Sequence, residues 1–389
     1  MNPLTRFILF VFFCFTVSLA NAESPDTTIP TAPDIAASAY FLQDFHTGKI
    51  LAEKNADTQL PPASLTKIMT VYVAFQEIRK GHLKLTDVVT VSENAQNIPS
   101  DSSKMFLKAK DQVKVEELIK GIIIPSGNDA SIALAEHIAG DVSTFADMMN
   151  KEAVRLGMKN THFSDSDGLS QDNHYTSPRD LAILSTALVK EFPEYYPWFS
   201  QKALSYNKIT QQNYNLLLKR DESVDGIKTG HTKEAGYCLV ASSLREGMRL
   251  ISVIMGTKSE KARADESQKL LNYGFRFYES HKLFDGNKPL KEPRLWKGTE
   301  NSVQLGLAED LYATIPRRRY EDLKATIVVD KKITAPVKQG NKYGTVTVTL
   351  KGETLLQKDL IALKNVPTGN ILQRTYDSIL MLIGHSDNE

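Results

Sequence analysis

From Ala36 to Lys54 the apolar and polar residues suggest two extended strands joined by a turn at Asp44-Phe45-His46-Thr47-Gly48. Pro61-Pro62-Ala63 stops this extended chain, and from Ser64 the apolar positions take helical spacing to near Gly81. Helical patterning recurs at 112–123, 129–139, 143–156 and 178–190. Strand-like runs follow at Val224–Thr229, Tyr237–Ser243 and Arg249–Gly256, and a further helix at 259–273. A strand pair, a mostly helical middle and three closing strands predict an α+β domain over 34–277, with helices packed on an antiparallel sheet.

Beyond Tyr278 the character changes. Short alternating runs such as Leu323–Val329 and Gly344–Leu350, separated by Gly, Pro and Asn, predict a small all-β domain over 278–368. The last segment, 369–389, is amphipathic. At about 100° per residue, Ile371, Leu372, Thr375, Tyr376, Ile379, Leu380, Leu382 and Ile383 share one half of a helical wheel. Gln373, Arg374, Asp377 and Ser378 share the other, and Met381 alone breaks the division. Such a helix packs on its own protein or lies in a membrane interface, and its place after a completed β domain favours the membrane. Its polar face is poor in Lys and Arg, so attraction to anionic lipid is expected to be weak.

The other end sets the compartment. Arg6, an apolar run from Phe7 to Ala20 and the small residues Ala20-Asn21-Ala22 read as a secretory signal peptide over 1–22. The run is shorter than the ~20 residues that a spanning helix needs. A Pro- and Thr-rich leader follows over 23–33. The mature chain is therefore expected to be exported. Loss of Cys14 with the signal leaves Cys238 as the only cysteine, so no intrachain disulfide can form. Cys238 sits in an apolar strand-like run and reads as packed rather than reactive. Without Arg6 the 47 basic residues become 46, equal to the acidic count, which gives no electrostatic footprint for nucleic acid.

Three short motifs carry candidate chemistry. In Ser64-Leu65-Thr66-Lys67 a hydroxyl and an amine stand three residues apart at a helix start, on one face. Serine needs an adjacent base, and an amine serves when burial or a neighbouring cation lowers its pKa. The helix N-terminus and the Ser64 backbone N–H favour a developing oxyanion. The pattern is weak alone, because Ser205-Tyr206-Asn207-Lys208 matches it too, by coincidence. In Ser126-Gly127-Asn128, on a tight loop, a hydroxyl relays a proton to a leaving amine and an amide orients a substrate peptide bond. Asn128 also reads as a helix N-cap. In Lys228-Thr229-Gly230, followed by His231, Lys228 supplies positive charge and Thr229 a hydroxyl for a carboxylate. Gly230 lets a substrate backbone approach, and the His231 N–H is a second oxyanion donor.

Together the three resemble the signature of penicillin-recognising serine enzymes. More closely, the chain resembles the D-alanyl-D-alanine carboxypeptidases of the low-molecular-mass penicillin-binding proteins, from about Asp34 to the C-terminus. The likeness extends through Pro62–Thr70, Ser126–Ala130, Val224–Thr232 and Lys269–Arg276, and through the order of catalytic domain, β domain and terminal helix. It implies a β-lactamase/transpeptidase-like catalytic fold and a two-step reaction on peptidoglycan stem peptides. Ser64 attacks the penultimate D-alanine carbonyl and Lys67 takes its proton. D-alanine leaves with a proton passed through Ser126, and water hydrolyses the acyl-enzyme. β-Lactams are implied as covalent inhibitors. The resemblance places Arg263 against the terminal carboxylate of the substrate. Where the family often shows an Arg-Asn pair, this chain has Tyr214-Asn215, a departure at a recognition position.

No cofactor is expected. The histidines offer no H-E-x-x-H, and Asp165-Ser166-Asp167-Gly168 is like a calcium loop only in its first residues, so no metal is expected either. A β-lactamase reading lacks an E-x-x-L-N loop between the second and third motifs, and a membrane sensor lacks spanning helices. A D,D-transpeptidase differs only in the acyl acceptor and stays open at this stage, as does a slow-deacylating β-lactam binder.

Overall fold

The computed structural model describes residues 29–169 and 172–383, so the expected signal peptide lies outside the described residues, as does the leader up to 28. Strands β1 (Ala39–Asp44) and β2 (Ile50–Lys54) pair antiparallel across the expected turn, which Asp44 ties by accepting from the N–H and hydroxyl of Thr47 at 2.8 Å each. They join β3 (Val224–Thr232), β4 (Gly236–Arg245) and β5 (Met248–Thr257) in one antiparallel sheet of order β2-β1-β5-β4-β3. The strand carrying Lys228-Thr229-Gly230 is thus an edge, free to receive an extended ligand.

Helices cover both faces, which is why the inner strands are buried along most of their length rather than on alternate residues. On β1, Leu42 points to helix α6 (Glu260–Phe277), where a side chain on Gly274 would meet it at 3.1 Å. The next residue, Gln43, points the opposite way and donates to Thr186 at 2.8 Å. Helix α1 (Lys67–Arg79) is buried from Lys67 to Glu77, among α2 (Val115–Ile123), α3 (Asn128–Ala139), α4 (Val142–Leu156) and α5 (Pro178–Glu191). It carries several of the largest buried side chains of the core, Tyr72 and Phe75 among them. Ser177 and Ser259 cap α5 and α6 from the N-cap position.

Two sequence expectations need correction, and the motif match set aside as coincidence has its physical reason. Residues 112–114 are not helical: Gln112–Lys114 alternates exposed, buried, exposed and pairs with Val88–Thr90, so α2 starts at Val115. The helix expected from Ser64 begins as a 3₁₀ turn, Ala63–Thr66, and becomes α-helical at Lys67. Ser205-Tyr206-Asn207-Lys208 forms a hairpin, with Asn207 and Lys208 both at positive φ, so its serine and lysine never share a helix face.

The all-β part follows α6 directly. Strand β6 (Tyr278–Phe284) pairs with β9 (Leu311–Pro316). Strands β7 (Pro289–Lys291), β8 (Leu305–Gly306), β12 (Glu353–Ala362), β11 (Lys342–Leu350) and β10 (Leu323–Val329) form a five-stranded sheet in that order. Leu305, Val346, Val348 and Leu360 fill its core. The β1–β2 turn docks on β9: His46 stacks on Tyr312 at 3.9 Å, and the Thr47 and Thr314 hydroxyls lie 2.6 Å apart.

The terminal helix α7 (Ile371–Leu382) starts with a reciprocal cap between Asn370 and Gln373. Its polar face touches the β domain, where Asp377 accepts from the backbone N–H of Lys297 and, at 3.4 Å, from Arg294. Its apolar face does not pack: Leu372 and Leu382 are 81% and 86% exposed. Among the described residues no helix is long and apolar enough to cross a membrane.

Candidate active site

The turn that presents Ser64 is set by its neighbours. Ala63 has φ +48°, a costly conformation for a residue with a Cβ, and it is held between Pro62 and the wall formed by Gly168. That wall leaves no room for a side chain: a Cβ on Gly168 (φ +89°) would lie 1.9 Å from the Ala63 carbonyl oxygen. One turn later Lys67 enters the interior, 1% exposed. Its Nζ lies 2.6 Å from Asn128 Oδ1, 2.7 Å from the Asp167 carbonyl oxygen and 3.0 Å from Ser64 Oγ. A neutral amine has two N–H donors and one lone pair. Two fixed acceptors take the donors, which leaves the lone pair facing the Ser64 hydroxyl. Burial brings the Lys67 pKa down to about 8, although Asp167, Asp165 and Asp129 pull upward.

Ser126 sits at φ +61° on the loop before α3, and Lys228 from the edge strand donates to its Oγ at 2.9 Å. Lys228 is buried too, and desolvation, then the charges of Lys67 and Arg263, hold its pKa well below the usual lysine range. The N-cap reading of Asn128 does not hold. Gly127 occupies that position, and Asn128 is the first helical residue with its amide turned to Lys67. Thr229, Gly230 and His231 line one side of a cleft of about 650 Å³ that also contains Ser64, Ser126, Asn128, Tyr214 and Arg263. A Cβ on Gly230 would come within 2.9 Å of the Pro62 carbonyl oxygen. The glycine is therefore needed for strand and nucleophile turn to pack, beyond the ligand access expected of it. The His231 ring is exposed and stacks on Tyr237 at 3.9 Å. In the variant pair, Asn215 is structural, donating to the Gly226 carbonyl at 3.0 Å, and Tyr214 forms part of the cleft.

Several functional supports carry no motif in the sequence. The Ser166 carbonyl accepts from Thr70 at 2.5 Å and Ser131 at 2.6 Å, and Asp165 accepts from the Asp167 and Gly168 N–H groups. The segment that looked like an incomplete calcium loop is the rear wall of the site, and its Asp-Ser-Asp-Gly string was the available signal. Burial raises the Asp167 carboxyl to about 6. His174 Nδ1 accepts from the Ser164 N–H at 3.0 Å, so its Nε2 carries the proton and donates to Thr66 at 2.8 Å. Asp129 accepts from the Met105 and Leu107 N–H groups, fixing the loop above Ser126. Cys238 is buried opposite Gly230 on the neighbouring strand, and desolvation pushes its thiol up to about 11.

Against known proteins, the D-alanyl-D-alanine carboxypeptidase family matches residues 26–259, more than half of the chain. The chain belongs to that family. The C-terminal domain of penicillin-binding protein 5 matches residues 278–368. Among similar carboxypeptidases, DacA of Escherichia coli (strain K12) is 42% identical, covering 95% of this chain and 94% of its own length. DacC of the same organism is 44% identical over 90% and 89%. The crystal structure of penicillin binding protein 5 from Haemophilus influenzae is 43% identical with a TM-score of 0.81, covering 87% of this chain and 99% of that one. The expected α+β catalytic fold, serine-peptidase class and added all-β domain are those of a D-alanyl-D-alanine carboxypeptidase of the penicillin-binding protein 5 type.

Proposed function

We propose that this carboxypeptidase removes the terminal D-alanine from peptidoglycan pentapeptide stems through an acyl-enzyme on Ser64, and that β-lactams acylate the same hydroxyl. The supporting observation is the aim of Lys67: a buried amine of lowered pKa, its two donors occupied by Asn128 and Asp167, 3.0 Å from the Ser64 hydroxyl. Lys67 takes the Ser64 proton as Oγ attacks the carbonyl of the penultimate D-alanine. The backbone N–H groups of Ser64 and His231 receive the oxyanion. The C–N bond breaks as the leaving amine takes a proton through Ser126, whose hydroxyl Lys228 holds at 2.9 Å. Asn128 orients the scissile amide, Gly230 gives the peptide room, and Thr229 with Arg263 binds the terminal carboxylate. Water then attacks the ester, its proton passing to Lys67 and on to Ser64.

The workplace proposed is the periplasmic face of the inner membrane, after export by the signal peptide over 1–22, with α7 lying in the lipid surface. Its exposed apolar face supports this reading.

The deciding experiment measures D-alanine release from diacetyl-Lys-D-Ala-D-Ala by residues 23–368, with Ser64→Ala beside it. Release by the parent and none by the variant is expected. A folded parent that releases nothing shifts the reading to a transpeptidase that needs an amine acceptor or to a slow-deacylating binder.

A further inference from the structure

Arg263, proposed above as the anchor for the substrate carboxylate, already faces a carboxylate of its own chain, Glu260. Its guanidinium is buried, with the side chain 5% exposed. Nη1 donates to the Gly230 carbonyl at 3.4 Å, and Nη2 donates to the Tyr214 carbonyl at 3.3 Å and to Glu260 Oε1 at 3.1 Å. Charge-assisted hydrogen bonds normally close to about 2.7–2.9 Å, so all three are long. The guanidinium carbon lies 5.6 Å from the centre of the Tyr237 ring, which stacks in turn on His231. The two backbone carbonyls and this ring cannot move without moving strand β3, the Tyr214 segment or strand β4. Glu260 can. It is the first residue of α6, its side chain is 47% exposed, and Arg263 is its one hydrogen-bond partner among the described residues.

We propose that Glu260 is a displaceable stand-in for the substrate's terminal carboxylate. Until a substrate binds it keeps the buried guanidinium paired, which an isolated buried cation requires. An arriving carboxylate enters between Thr229 and Arg263, makes the shorter contacts of a pair shielded from water, and Glu260 turns out to solvent. At the N-terminus of α6 it remains favourably placed when unpaired. After the C–N bond breaks, the same exchange runs backwards, and Glu260 displaces the free D-alanine. The residue thus sets how tightly the enzyme holds every ligand that ends in a carboxylate, peptide and penicillin alike, while touching no reacting atom. It is a specificity-determining and positioning residue. The inference rests on the reading of Arg263 as carboxylate anchor.

Glu260→Gln keeps the size and removes the competing charge. Half-exposed ion pairs are weak, so KM for diacetyl-Lys-D-Ala-D-Ala is expected to fall about two- to fivefold with kcat unchanged. Benzylpenicillin, which carries the equivalent carboxylate, is expected to acylate the variant faster by the same factor. A peptide ending in a carboxamide, used as a competitive inhibitor, is expected to bind parent and variant equally. A higher KM, or slower acylation by benzylpenicillin, would show that Glu260 merely orients Arg263 and would overturn the proposal. An equal gain for the carboxamide would overturn it too, by showing a general loosening of the cleft. Acylation by benzylpenicillin needs only Ser64 and the cleft. It therefore still reports on Glu260 if the parent releases no D-alanine, which is the separate failure of the hydrolytic reading.

Discussion

Lys67 stands near its titration point because burial outweighs three carboxylates, Asp167, Asp165 and Asp129, that favour its charged form. Only the neutral amine can accept the Ser64 proton. With the pKa brought down to about 8, kcat/KM is expected to rise roughly tenfold per pH unit below that value and to level above it. A profile flat between pH 6 and 9 would remove Lys67 from the base role. Lys67→Arg keeps a cation that does not deprotonate, and is expected to lose about 10²–10⁴ in acylation rate at every pH. Gly168 tests the other side of the same geometry. It combines φ +89° with a Cβ position 1.9 Å from the Ala63 carbonyl, so Gly168→Ala must push the rear wall away from the nucleophile turn. A displacement of about 1 Å can cost about 10²-fold in rate, and that loss is expected with benzylpenicillin as well as with peptide. An unchanged acylation rate would show that the turn holds Ser64 without this wall.

At the level of elements, one carboxylate ties the closing sheet to its helix. Asp221, after the short helix Leu217–Arg220, accepts from Ser223, from Gln268 on α6 and from Arg245 on β4. Burial alone would raise its pKa, but these bonds outweigh it and bring the carboxyl down to about 2. The folded pKa is thus depressed, so the stabilisation is complete above the unfolded value, near 4, and disappears as pH falls through 2. A shift of this size is worth about 2 kcal/mol. Asp221→Asn is expected to cost about 1–2 kcal/mol in urea unfolding at pH 7, and about half of that difference should be gone at pH 3. A penalty equal at both values would point to lost packing instead. The elements also show what a sequence pattern can carry. Strands β4 and β5 were legible because each contains a continuous apolar run, and β3 and the three motifs because the residues of each motif are close in sequence. The rear wall was not. Asp167 meets Lys67 through a backbone carbonyl, which every residue possesses, and Glu260 meets Arg263 from a surface helix turn that looks like any solvated one. The 3₁₀ start at Ala63–Thr66 was hidden for a similar reason, since tight packing against Gly168 and Gly230 decides it.

For the whole molecule, the question is what the terminal helix does to the placement of the site. The catalytic part and the β part meet through His46 on Tyr312, the Thr47–Thr314 hydroxyl pair and Lys49, which donates to the Thr314 carbonyl at 3.0 Å. At the far end Asp377 fastens α7 to the β part, and the strap before it is held as Gly369 donates to the Lys297 carbonyl at 2.8 Å. The helix is therefore ordered before it meets anything, and its apolar residues, Ile371, Leu372, Tyr376, Ile379, Leu382 and Ile383, are exposed. Burying a large apolar side chain is worth about 1.5–3 kcal/mol, so a few of these suffice for attachment when little ordering entropy remains to be lost. Arg374 is the lone cation between Asn370 and Ile383, and Asp377 offsets it. Attachment should accordingly depend on apolar insertion and hardly on lipid charge. In a flotation assay, residues 23–389 are expected to bind neutral and anionic vesicles alike, with little loss at high salt, while residues 23–368 stay in solution and release D-alanine from a soluble peptide at the same rate. Binding that survives removal of the helix would move the lipid contact elsewhere on the molecule. Binding that requires anionic lipid would mean that the basic residues of the β part, and not the apolar face of α7, hold the enzyme at its surface.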